Sequence, residues 1–151
     1  MKLFQKKNNK GFSLVELIVV VAIMAVLMGI LVPTLIKNVE KSKRQKDLSA
    51  LEEIRSAMTT ELASETYSDL DATFTFAAGD EINLKGYSTN TAFANLVAED
   101  VEAVTLGSKV YKACSVTFSV ANQKVTCTLS DGTNTYDLAD IDYSVAELAT
   151  K

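Results

Sequence analysis

Residues 17–36 read LIVVVAIMAVLMGILVPTLI, 20 consecutive positions without a charge. As a helix rising about 1.5 Å per residue, this run spans roughly 30 Å, the hydrocarbon thickness of a bilayer. It is apolar on every side, and a chain of 151 residues could hardly enclose it as a core helix. A membrane-spanning or helix-packing segment is the expectation. Upstream, residues 1–11 carry Lys2, Lys6, Lys7 and Lys10 with no acid, a basic tail of +4. A secretory signal peptide shares this plan, but it closes an apolar core of about 7–15 residues with an A-x-A-like site. Here the longer run passes straight into KNVEKSKRQKD without such a site, so removal after the run is not expected. Charge alone leaves the orientation open, because Lys37, Lys41, Lys43, Arg44 and Lys46 follow the run and outnumber the lysines before it.

Composition narrows the function classes. The chain is 48% hydrophobic and 23% charged, with a net charge of −4, enough for one modest core and too apolar for a disordered chain. Histidine is absent, so no serine or threonine has a visible general base, and no enzyme activity is expected. The two cysteines, Cys114 and Cys127, make neither a four-ligand zinc site nor a C-x-x-C pair. No metal or cofactor is expected.

Beyond the apolar run the periodicity changes character. Leu48, Leu51, Ile54, Met58 and Leu62 recur at helical steps, with Glu52, Glu53, Arg55 and Glu61 between them, the pattern of a helix that buries one side. No strong stop signal falls between Phe12 and about Ser64, which predicts one helix of 53 residues interrupted only by Gly29 and Pro33. From Thr66 onward the chain is acidic: Lys85, Lys109, Lys112, Lys124 and Lys151 face more than twice as many carboxylates. No specific nucleic-acid contact is expected of such a surface. Thr73–Phe76 alternates polar and aromatic residues. Asn90 or Thr91 caps an expected short helix through Val104 with Phe93, Leu96, Val97, Val101 and Val104 on one side. Strands are expected around Cys114–Val120 and Val125–Leu129, with a third through Tyr136, Leu138 and Ile141 after the turn Asp131-Gly132. The fold class expected is α+β: a long N-terminal helix, transmembrane then amphipathic, packed on a small antiparallel sheet.

The junction Lys10-Gly11-Phe12-Ser13-Leu14-Val15-Glu16-Leu17 carries the chemistry. A carboxylate within a membrane helix costs about 2.5–3.5 kcal/mol at the helix centre and marks a functional candidate. At the interface the cost falls, and the same carboxylate favours a helix N-terminus. Both readings of Glu16 stand on the residues alone.

The stretch KGFSLVELIVVVAIMAVLMGILVP resembles the N-terminus of type IV pilins and their relatives, closely over Lys10–Pro33 and little beyond. The resemblance implies the lollipop fold of that superfamily. It divides the chain into a leader (1–11), a transmembrane and filament-core helix (12–36), an amphipathic helix (37–65) and a globular head (66–151). It also implies that a prepilin peptidase cuts between Gly11 and Phe12 and methylates the new amine of Phe12. Cleavage would unmask an ammonium one helical turn from Glu16, and in the family this glutamate pairs with the N-terminal amine of a neighbouring subunit during assembly. Gly29 and Pro33 are implied as sites of kinking or local melting. The implied partners are further copies in a helical filament, an assembly platform and its ATPase, with the membrane as host before assembly. The implied localisation is the cytoplasmic membrane for the single-pass precursor, then an extracellular surface filament.

The resemblance also invites a disulfide between Cys114 and Cys127, as many relatives close a C-terminal loop. A hairpin looping at Ala121–Lys124 argues against it. That register puts Cys127 opposite Phe118 and Cys114 four residues further on, about 13 Å at ~3.4 Å per residue, beyond disulfide reach. A different register would permit the bond. The acids Asp131, Asp137, Asp140 and Asp142 do not fit an EF-hand loop and read as a solvated face. The reading that results is a structural subunit, the major pilin of a type IV pilus serving adhesion, surface motility or aggregation. The alternatives are the major pseudopilin of a type II secretion system, a DNA-uptake pilin, or a single-pass membrane-anchored binding protein.

Overall fold

The computed structural model describes residues 11–151, so the basic tail expected to be a leader lies outside the described residues except for Gly11. The described chain opens with helix α1, Leu14–Leu62, and divides into two compact units, one running to Asn38 and the other from Val39 to Lys151. Four strands follow α1 in a single antiparallel sheet of order β1-β2-β3-β4: β1 Ala72–Phe76, β2 Ser115–Ala121, β3 Lys124–Ser130 and β4 Thr135–Asp137. A second helix, α2 (Thr91–Asp100), lies between β1 and β2. The long helix and small antiparallel sheet expected from the pattern are thus both present.

In the second unit α1 buries Leu51, Ile54, Met58 and Leu62, each at most 2% exposed, in one core with the inward residues of the sheet. The alternation of β1 and β2 puts Phe74, Phe76, Val116, Phe118 and Val120 on that inner face, and α2 adds Phe93, Ala94 and Val97. Each large side chain so buried contributes about 1.5–3 kcal/mol of transfer free energy. The β2–β3 register pairs Ala121 with Lys124, Val120 with Val125 and Phe118 with Cys127, as the hairpin arithmetic requires. Asn122 and Gln123 make the turn at φ of 52° and 60°, the left-handed pair of a two-residue hairpin.

Four expectations need correction. The segment Thr73–Phe76 is a full strand with its neighbour Ala72, paired to β2, so the sheet has one strand more than the three read from alternation. The third expected strand ends at Asp137, because the Asp137 carboxylate accepts the Ala139 N–H at 2.9 Å and turns Leu138–Asp140 into a 3-10 segment. The helix expected to reach Val104 stops at Asp100: Val101 is extended, and Val104 exchanges backbone hydrogen bonds with Ile82. Leu96, placed on the buried side by spacing, is 37% exposed, and Ala94 takes its place in the core.

Candidate assembly site

Gly11, Phe12 and Ser13 precede the helix without regular structure, and Phe12 is 89% exposed. The turn that starts α1 is fixed by its own residues. Ser13 offers its carbonyl to Leu17 N–H at 3.2 Å, and Glu16 Oε2 accepts the Ser13 N–H at 2.8 Å. Ser13-Leu14-Val15-Glu16 is an S-x-x-E capping sequence, and its glutamate arm is the one formed. The signal lay in the sequence as a serine three residues before a glutamate at the head of an apolar run. The reading of Glu16 as an acceptor at the helix N-terminus thereby acquires geometry. The carboxylate satisfies one orphan N–H at the helix start, and it lies beside the backbone that would follow a new terminus at Phe12.

From Leu14 to Val39 the large apolar side chains of α1 are all exposed, and its most apolar 18-residue window has mean hydropathy 3.0 with none of it buried. The helix is long and apolar enough to cross a membrane. It runs unbroken through Gly29 and Pro33. Proline lacks the N–H that would reach the Gly29 carbonyl. In the next turn, Thr34 Oγ1 donates to the Ile30 carbonyl at 3.4 Å. A Cβ at Gly29 would meet nothing within 4 Å, so no contact among the described residues requires glycine there.

The base of the second unit holds residues that the sequence reading missed. Toward the N-terminus from Leu51, helical spacing meets Asp47, Arg44 and Glu40, which continue the buried stripe with charge. Asp47 is 4% exposed and accepts the N–H groups of Gly107 at 2.9 Å and Ser108 at 2.8 Å. Glu40 accepts the Lys109 N–H at 2.7 Å, and Arg44 donates to the Ala146 carbonyl at 2.7 Å. Arg44 and Glu40 approach to 3.8 Å, while Arg44 Nε itself is buried without a hydrogen bond. Arg44, grouped by charge with the exposed lysines around it, belongs instead to a polar clasp on two distant loops.

Cys114 and Cys127 are both buried free thiols. Cys114 Sγ donates to the Val110 carbonyl at 3.3 Å, and burial pushes the Cys127 thiol up to about 12. Neither is poised as a nucleophile, and the disulfide invited by resemblance is not formed. Asp131 accepts the Thr133 and Asn134 N–H groups, and Asp142 accepts from the Ser144 N–H and hydroxyl, which hold both carboxyls below their usual range. Those acids shape turns. Among the described residues, no three His, Cys, Asp or Glu side chains are grouped to hold a metal ion.

Residues 6–32 match the family described as the prokaryotic N-terminal methylation motif. The chain is similar to the type II secretion system core protein G of Klebsiella michiganensis, 37% identical over 54 residues that make up 36% of this chain and 38% of that protein. It is similar to the same-named protein of Pectobacterium carotovorum subsp. carotovorum, 43% identical over 51 residues, 34% of this chain and 33% of that protein. The Klebsiella pneumoniae protein of that name is 47% identical over 49 residues, 30% of this chain and 35% of that one. The chain thus spans about a third of the length of these relatives. No solved structure gives a significant match.

Proposed function

We propose that this chain, which carries the N-terminal methylation motif and is similar to core protein G over about a third of its length, is a type IV pilin-like, filament-forming subunit and specifically the major pseudopilin of a type II secretion system. Its similarity to core protein G places that reading ahead of the surface-pilus reading favoured by sequence pattern alone. The observation that carries the proposal is an exposed Gly11–Phe12 bond just outside α1, with Glu16 in the first turn of a helix whose large apolar side chains are exposed from Leu14 to Val39.

In this proposal the precursor sits in the cytoplasmic membrane through α1, and a prepilin peptidase cuts after Gly11 and methylates Phe12. Removing the leader leaves 11 basic and 19 acidic side chains, a side-chain charge of −8, and a terminal ammonium. Glu16 of an incoming subunit then pairs with the amine of one already placed, under the drive of an assembly platform and its ATPase. The apolar helices exchange lipid for one another. Breaking such a low-dielectric pair by removing one partner costs about 3–5 kcal/mol, so the pair selects register more than it supplies cohesion. Gly29 and Pro33 give the packed helix places to bend.

Mass spectrometry of the native N-terminus is the test: a chain beginning at N-methylated Phe12 is expected, and an intact Met1 overturns the proposal. Glu16→Ala is expected to be processed yet fail to polymerise; normal filaments from that variant would remove the role given to Glu16. Long surface fibres of this chain, in place of a secretion defect on its deletion, would return the pilus reading to first place.

A further inference from the structure

Two regions of opposite charge in the second unit have no ionic partners among the described residues. Glu99 and Asp100 end α2 and Glu102 follows; all three are exposed, and none forms an ion pair among the described residues. The last turn of α2 contains no basic residue, although the negative end of a helix dipole favours cations. The carbonyls of Ala98, Glu99 and Asp100 accept no hydrogen bond among the described residues. These groups, with Asn83 and Lys85, line a hollow of about 430 Å³ whose lining also includes Ile54, Ile82 and Leu84, so that three carboxylates share one lysine of their own chain. An apolar floor under a carboxylate and carbonyl rim suits lysine, whose aliphatic stem lies on grease while its ammonium stays at the edge.

Matching cations lie elsewhere on the same unit. Of the 11 basic residues after Phe12, four fall between Lys41 and Lys46. Arg44 is used internally and Lys41 lies 5.8 Å from the Tyr143 ring. Lys43 and Lys46, one helical turn apart, are exposed and form no ion pair among the described residues. Subunits with side-chain charge −8 repel when packed side by side, unless the concentrated basic band of one meets an acidic region of the next.

We infer that the hollow at the end of α2, rimmed by Glu99, Asp100 and Glu102, receives Lys43 and Lys46 of a second copy of this chain. The inference rests on the filament reading above and adds a contact between heads. Because the two patches are different surfaces, the contact is head-to-tail, the kind that propagates into an open filament.

The test uses the full chain, processed at Phe12 in its own membrane. Replacing the acids (E99K, D100K, E102K) and, separately, the lysines (K43E, K46E) is expected to lower polymer yield about tenfold each, with the combined swap recovering most of it. A second measurement does not depend on how well the swaps fold. Under mild oxidation, a chain with Glu102→Cys and Lys46→Cys is expected to give a ladder of disulfide-linked oligomers, while each single substitution gives no ladder. Wild-type polymer with unaffected swaps and no ladder overturns the contact alone, as does cross-linking of the Glu102→Cys thiol to a different protein. A wild-type chain that is processed but never polymerises overturns the contact and the filament reading together.

Discussion

Asp47 shows how one residue can hold distant chain together. Its two oxygens take the N–H groups of Gly107 and Ser108, and Ser108 is fully buried, so no water can replace the acceptor there. Asp47→Ala leaves that N–H unpaired and is expected to lower the head's unfolding free energy by about 2 kcal/mol. Denaturant unfolding of the detergent-solubilised chain, followed by circular dichroism, measures the loss. An unchanged midpoint would mean that the loop finds its hydrogen bonds elsewhere. Glu16 acts at the same scale in the other unit, where its bond to the Ser13 N–H serves the helix start before any partner chain arrives. That role was legible as S-x-x-E. The role of Asp47 was not, because Gly107 and Ser108 lie 60 and 61 residues away.

At the scale of elements, the β2–β3 hairpin is where local chemistry and conformation disagree. Gln123 sits at φ 60° in the turn, a region in which a side chain is strained and glycine is not. Gln123→Gly is expected to stabilise the head by about 0.5–1 kcal/mol, read as a higher denaturant midpoint with an unchanged slope. The other side of the sheet shows the reverse, a local conflict already resolved. Strand β1 is an edge, yet the Tyr87 hydroxyl accepts the Thr75 N–H at 2.9 Å and donates to the Thr75 carbonyl at 3.3 Å, while its ring packs on Phe74 and Phe76. One side chain thus occupies backbone groups that would otherwise invite a foreign strand. The hairpin register followed from alternation and a two-residue turn. The pairing of β1 with β2 did not, since 38 residues separate the two strands.

For the whole molecule, buried acids that stay protonated set an alkaline limit. Burial raises Tyr111 from 10.0 to about 12 and Cys127 from 9.0 to about 12. Above pH 9 the unfolded chain therefore releases protons that the folded chain keeps, so the stability these groups contribute falls as pH rises from about 9 towards 12. Thermal unfolding of the head across that range should show a declining Tm, steeper than in a Cys127→Ser variant after correction for that variant's own offset; a flat profile would contradict the burial of both groups. The apolar span, the motif at its head, the buried stripe of α1 and the hairpin register were determined by sequence alone. Each depends on residues close in the chain or on the surrounding solvent, and periodicity reports both. The tertiary structure decided that Glu40, Arg44 and Asp47 face inward, that α2 ends with its carbonyls open, and that the third expected strand breaks at Asp137. Those outcomes depend on which backbone groups from remote segments arrive opposite a side chain, and no local pattern carries that information.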